Sequence, residues 1–244
     1  MRPIEIPGTD VTIHDVTQGN VERLEALLDL FVEAFPRYTR YLPIMRERAI
    51  RLPADADPRF VEHQWLAEVG TQAAGFTVFK YVPGRNCGLC MAIGVRPAYR
   101  LLSAGRYRRL SELLLKSSLE QLQADALTAG RPAPVGMVLE VEEPKLVARF
   151  REYGLVELPV DYREPPFLHG RQALADASEL EAMGFQPMQL GIYPIGGESF
   201  NPSDPAMLAN LIYALLVDHY RLPEEHWAVR RSLDSIQRLS DRGN

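Results

Sequence analysis

Apolar and polar positions divide the chain into short, readable elements. Val11 to Val16 alternates in the manner of a strand and stops at Gly19-Asn20. Asn20 is placed to cap a helix, and Glu22 and Glu25 add negative charge to its first turns. Leu24, Leu27, Leu28, Phe31 and Phe35 then recur at the three- and four-residue spacing of an amphipathic helix, which Pro36 ends. Between residues 38 and 60, Pro43, Pro53 and Pro58 break any long element, so only a short helix and a loop are predicted. Gln64 to Val69 and Ala74 to Val82 read as an antiparallel pair around Gly70-Thr71-Gln72, and Gly88 to Val95 as a third strand. A long helical pattern follows, about Ser103 to Leu127, striped by Leu110, Leu113, Leu114 and Leu122.

Further along, Val135 to Val141 is strand-like, and Pro144 opens a short helix that runs to Tyr153 and stops at Gly154. Leu155 to Tyr162 predicts a strand, with Pro159 marking an edge or a bulge. Residues 165–184 read as an irregular insertion holding a short helix near Ala175 to Met183, and Met188 to Tyr193 as the last strand. After Gly196-Gly197 the pattern turns helical, over Pro205 to Tyr220 and Glu224 to Leu239. A three-strand meander followed by strand-helix-strand steps predicts an α/β (α+β) fold, a mixed and strongly twisted sheet flanked by helices. The expected division is a domain over 1–197 and a C-terminal helical extension over 198–244, packed on that domain.

Composition narrows the function classes. With 46% hydrophobic residues in 244, the chain can bury a sizeable core. A net charge of −5 is a poor electrostatic match for nucleic acid or an anionic membrane. The longest apolar run, Leu208 to Val217, is too short to span a bilayer and contains Asn210. The first ten residues lack the apolar stretch of a signal peptide, and two cysteines make no disulfide framework, so a cytoplasmic setting is expected.

The segment richest in chemistry is Val95-Arg-Pro-Ala-Tyr-Arg-Leu-Leu-Ser-Ala-Gly105. A strand ends there, the chain turns, and a helix is predicted to begin at small residues. Unpaired amides and a positive helix end gathered at one point suit a pyrophosphate. Small side chains let the backbone approach phosphate oxygens closely. Arg96, Arg100, Arg106, Arg108 and Arg109 lie in a window with no acidic residue.

This segment resembles the acyl-CoA motif of the GNAT acetyltransferases, a strand ending in Val-x-Pro and then Arg/Gln-x-x-Gly-x-Gly/Ala. Val95, Pro97, Arg100 and Gly105 match, while Ser103 stands where the first glycine is expected. Gly75, within Ala-Gly-Phe, and the order of elements from Val11 to about Tyr193 also agree. The resemblance implies a GNAT-like sheet of about seven strands, mostly antiparallel. It also implies that acetyl-CoA or another acyl-CoA is co-substrate, with no metal, and that an amine is acylated by direct attack on the thioester.

The same resemblance assigns roles to residues. Gly94 and Val95, at the end of the fourth strand, would bond the pantetheine arm and polarise the thioester carbonyl. Arg100, Leu101, Leu102, Ser103, Ala104, Gly105 and Arg106 would hold the pyrophosphate. Glu140 and Glu142 alternate to one face of the fifth strand and are candidate bases. The family's acid is a tyrosine, but Phe150 occupies its position here, and Tyr153 lies one helical turn further on. Tyr162 is an equal candidate for the cleft. A non-catalytic acyl-CoA-binding or regulatory module is the alternative, motivated by Phe150.

Other signals point less far. Cys87-Gly-Leu-Cys90 has metal-ligand spacing but no second pair. His14, His63, His169, His219 and His226 are scattered and read as surface or satisfied core histidines. The arginine window as a nucleic-acid site is opposed by the chain's acidity. The acceptor is expected to be a small-molecule or peptide amine, with no nucleic acid and no membrane partner. The tail reads first as packing on its own domain, with a homodimer seam or a cap on the acceptor cleft as the other readings.

Overall fold

A computed structural model describes residues 3–17, 19–51, 53–166, 184–195 and 200–243. The helix expected near Ala175 to Met183, and His169, lie outside the described residues. The chain forms two compact units, residues 1–81 with 90–128 and residues 82–89 with 129–244.

In the first unit, β1 (Ile4–Glu5), β2 (Val11–Asp15), β3 (Val61–Val69) and β4 (Gln72–Val82) pair antiparallel in order, and β5 (Cys87–Val95) follows β4. Gly70 takes a left-handed φ of 60° in the tight β3–β4 turn, as Gly-Thr-Gln suggests. The helices are α1 (Leu24–Ala34), α2 (Leu42–Ile50) and α3 (Leu110–Thr128). Leu24, Leu27, Leu28 and Phe31 of α1 pack with Met45 and Ala49 of α2 on Leu66, Phe76 and Val78 of the sheet. Gly75 is tightly packed against the next strand and α3: a Cβ there would lie 3.0 Å from the Gly94 carbonyl oxygen and 3.2 Å from the Leu114 and Val95 side chains.

One expectation fails locally. Asn20 does not cap α1; its side-chain amide donates to the Asp15 carbonyl, and Arg23 occupies the cap position without a side-chain bond. Pro43 opens the short helix expected in this segment. It sits in the first turn of α2, where a missing N–H has no helical acceptor to lose.

In the second unit, β6 (Gly136–Val141) follows β5 and pairs antiparallel with β9 (Gln186–Pro194). Between them in sequence lie α4 (Pro144–Arg151), β7 (Val156–Glu157) and β8 (Tyr162–Glu164). The single strand expected over Leu155 to Tyr162 is two short strands, both antiparallel to β9. They are interrupted at Pro159, which has no N–H for the ladder. The tail comprises α5 (Pro205–Ile212), continuing into a π turn (Tyr213–His219), and α6 (Trp227–Gly243). Asp204 caps α5 by accepting from the amides of Ala206 and Met207.

The result is a mixed α/β fold with a mostly antiparallel open sheet flanked by helices. Among the described residues it has nine strands rather than about seven, because β1 is added and the sixth expected strand is split. Among the described residues, no helix is long and apolar enough to cross a membrane.

Candidate functional site

Two constellations carry chemistry, one in each unit. In the first unit, β5 ends at Val95 and the chain enters the loop that the sequence singled out. The long helix begins at Leu110, seven residues later than the expected start at Ser103. Ala104 and Tyr107 exchange both backbone hydrogen bonds at 3.0 Å, closing a tight turn in which Gly105 takes φ 58°. That left-handed residue stops a helix from running through it. The helix starts instead where Glu112 reaches back to accept from the Arg108 amide at 2.8 Å. Ser103 is therefore not the helix cap, and its hydroxyl donates to the Arg108 carbonyl at 3.4 Å.

This turn divides the loop amides into two sets. Those of Leu102 and Ala104 donate to Tyr99 and Tyr107 carbonyls. Those of Leu101, Ser103, Gly105 and Arg106, all exposed residues, donate to no group among the described residues. Uncommitted amides in a tight turn, such as the adjacent pair of Gly105 and Arg106, are donors that an anion can accept from.

The arginines are unequal. Arg96 is held by both oxygens of Glu33 and by the Ala73 carbonyl, and Arg106 pairs with Glu120. The Arg100 side chain donates to the Val95 carbonyl at 3.3 Å. Gly94 is tightly packed: a Cβ would meet the Phe76 ring at 2.5 Å.

The second constellation is set by strand register. Glu140 of β6 faces Leu190 of β9, and Tyr162 of β8 faces Met188 of β9. Cross-strand partners share a face, and so do residues two apart. Glu140, Glu142, Tyr162 and Glu164 therefore project on one face, on either side of β9. The alternation of Glu140 and Glu142 was legible in sequence; their juxtaposition with Tyr162 and Glu164 depends on β9.

Glu140 is held by two phenols. Tyr162 donates to one carboxylate oxygen at 2.5 Å, and Tyr220, just past the π turn, to the other at 2.9 Å. The Tyr220 hydroxyl also lies 3.2 Å from an oxygen of Glu164. Tyr162, Tyr220 and Glu164 are buried. Burial, and next the charge of Glu164, push the Glu140 carboxyl up to about 8 against the opposing effect of the two hydroxyls. A carboxyl that titrates near neutrality can exchange protons with a reacting group.

Glu142 accepts from the Gln186 side chain at 2.9 Å, and Tyr153 follows α4, its amide donating to the Phe150 carbonyl. Neither bonds Glu140 among the described contacts. Glu164 and Tyr220 were not anticipated. Glu164 was within reach of the alternation rule, two residues beyond Tyr162. Tyr220 had no signal, because it arrives from a helical tail. Cys87 is buried, and burial pushes its thiol up to about 12. Among the described residues no cluster of His, Cys, Asp and Glu side chains could hold a metal ion.

No protein-family model matches the sequence, and no curated protein matches it. Solved structures do. A Bacteroides thetaiotaomicron protein described as a GNAT-family acetyltransferase superposes with a TM-score of 0.50 at 18% identity, over 86% of this chain and 99% of that one. The ribosomal-protein-S18-alanine N-acetyltransferase of Escherichia coli gives 0.44 at 14% identity, over 78% and 99%. A GNAT family acetyltransferase from Elizabethkingia anophelis with acetyl-CoA bound gives 0.42 at 15%, over 76% and 99%. The chain has the GNAT fold.

Proposed function

We propose that the protein moves an acyl group from acetyl-CoA, or another acyl-CoA, to an amine. The observation that supports this most directly is the loop after β5. On a GNAT fold, it carries the Val95-x-Pro97-x-x-Arg100 spacing and leaves four exposed amides uncommitted between Leu101 and Arg106. A diphosphate supplies acceptors for such amides. Leu102 and Ala104 shape the turn, and Arg100, with Arg106, adds positive charge beside it. Gly94 and Val95 are assigned the pantetheine arm, with a main-chain N–H polarising the thioester carbonyl.

In this reading a neutral amine attacks the carbonyl carbon, the C–S bond breaks and the sulfur leaves as thiolate. The proton lost by the amine goes to Glu140. Because the thiolate is a modest base, with a pKa of roughly 8.5 if it behaves like cysteine, an acid helps but is not essential. Tyr162 and Tyr153 are the candidates for that role, and Glu142 is a secondary base. The three glutamates on one face, Glu140, Glu142 and Glu164, suit a cationic amine, small molecule or peptide.

The test follows free thiol release from acetyl-CoA across an amine panel and across pH. A base must be ionised to accept a proton, so kcat should climb as pH rises through about 8 rather than near 4.5. Glu140→Gln should lower kcat by about 10²–10⁴ while leaving coenzyme A binding intact. The second reading, a non-catalytic acyl-CoA-binding module, is favoured by Phe150 standing where the family places its tyrosine. Binding of coenzyme A with no turnover on any amine, and no effect of Glu140→Gln, would establish that reading instead.

A further inference from the structure

Tyr220 has one hydroxyl proton and two carboxylate neighbours. It is 2.9 Å from Glu140 and 3.2 Å from Glu164. A phenol donates one hydrogen bond and accepts others, while an ionised carboxylate only accepts. The Tyr220 proton therefore serves one carboxyl group at a time. The other contact is a hydrogen bond only when that carboxyl carries a proton and donates it to the phenol oxygen.

The surroundings bear on the same point. Glu140 receives a second hydroxyl, from Tyr162, on its other oxygen, which favours its ionised form. Glu164 is 8% exposed and Tyr220 2%. Two like charges this close to one buried hydroxyl cannot both ionise cheaply, which is the logic of paired carboxyls sharing a proton. The faces packed around them add Leu190 and Met188 from β9 and, just past the end of β6, Glu142, whose carboxylate accepts from Gln186.

We propose that Glu164 is a positioning residue that shares one proton with Glu140 through the hydroxyl of Tyr220, a residue brought to the site by the C-terminal tail. In one form Glu164 is the acid: its proton bonds the Tyr220 oxygen, and the Tyr220 proton bonds an ionised Glu140, ready to accept from an amine. In the other, the Tyr220 proton has passed to Glu140, now the acid, which donates it back to the phenol oxygen, while the Glu164 proton has passed to Tyr220, which donates it to the ionised Glu164. The two forms have the same number of protons and the same charge, so interconversion requires no external acid or base. The catalytic consequence rests on the acyl-transfer reading; the shared proton does not.

Infrared spectroscopy of the full chain reads the proton directly, through the carbonyl band of a protonated carboxyl. Wild type should show such a band at pH 7 that titrates away as pH rises through about 8. Glu164→Gln should move that midpoint, and the kcat limb, down by about one unit or more, a tenfold change in proton concentration. Tyr220→Phe should alter the band's frequency and move the midpoint upward, since Glu140 loses a donor to its ionised form. A merely structural role would move neither. Absence of a protonated carboxyl at pH 7, or a midpoint that stays put in both variants, overturns the proposal. A band that behaves as described in a protein that acylates nothing upholds the shared proton and removes only the acyl-transfer reading.

Discussion

At the scale of single residues, the first unit is pinned by a buried histidine. His63 of β3 lies with one ring nitrogen 3.2 Å from Asp15 and the other 2.9 Å from Asp125, and its ring stacks on Phe79. Only the imidazolium has two donors for two carboxylates. Burial opposes that charge, but the hydrogen bonds and charges of Asp125 and Asp15 outweigh it and raise His63 to about 9. Asp15 is also disfavoured as an anion by burial, yet bonds from His63 and Thr17 hold it below its ordinary value. The signs fix a window. The His63 contribution is complete below the unfolded value of about 6.5 and is lost as pH rises through about 9. The Asp15 contribution is present above about 3.8 and is lost as pH falls through its lowered value. His63→Gln should lower stability by about 3 kcal/mol at pH 6, since breaking a buried pair strands the remaining charges. Thermal unfolding at pH 6 and pH 9.5 checks this: the gap between variant and wild type should narrow at the higher pH.

At the scale of elements, the loop between β5 and α3 decides how a phosphate could be met. Gly105 has space for a side chain, with its nearest neighbours at 3.6 Å, but its φ of 58° disfavours any residue with a Cβ. A β-branched substitution is the worst case there. Gly105→Val should therefore reopen the Ala104–Tyr107 turn and disperse the amides of Leu101, Ser103, Gly105 and Arg106. Calorimetric titration with coenzyme A should show at least a tenfold loss of affinity, with unfolding temperature changed little because the loop is exposed. Equal affinity in the variant would show that this turn does not bind the diphosphate.

At the scale of the whole molecule, the tail is part of the second unit and supplies one of its site groups. Leu208, Leu211, Ile212, Leu215, Leu216, Val229 and Ile236 are each at most 4% exposed. Fully burying one such side chain contributes about 1.5–3 kcal/mol, so seven together are comparable to or larger than the net stability of about 5–15 kcal/mol typical of a domain. Arg85 also anchors the tail, pairing with Asp218 at 2.7 Å while its carbonyl accepts from Asn210. A chain lacking residues 200–244 should expose apolar surface that binds a hydrophobic dye, and should lose the cooperative unfolding of the second unit. A soluble truncated chain that melts like wild type would contradict this account of the tail.

The sequence by itself determined the order of strands and helices, because period-two and period-3.6 patterns, Gly70, Pro36 and Pro144 act over a few residues. It also picked out the loop at Val95 to Gly105 and placed Glu140 and Glu142 on one face, again by local rules. Tertiary structure decided the rest. The start of α3 at Leu110 depends on a turn closed by Ala104 and Tyr107, and α1 begins without Asn20 because that side chain found Asp15 instead. Glu140 met Tyr162 and Glu164 only because β6 and β8 pair on opposite sides of β9, and it met Tyr220 only because the tail folds back. Contacts across 22 and 80 residues of chain leave no periodic trace in the residues between them.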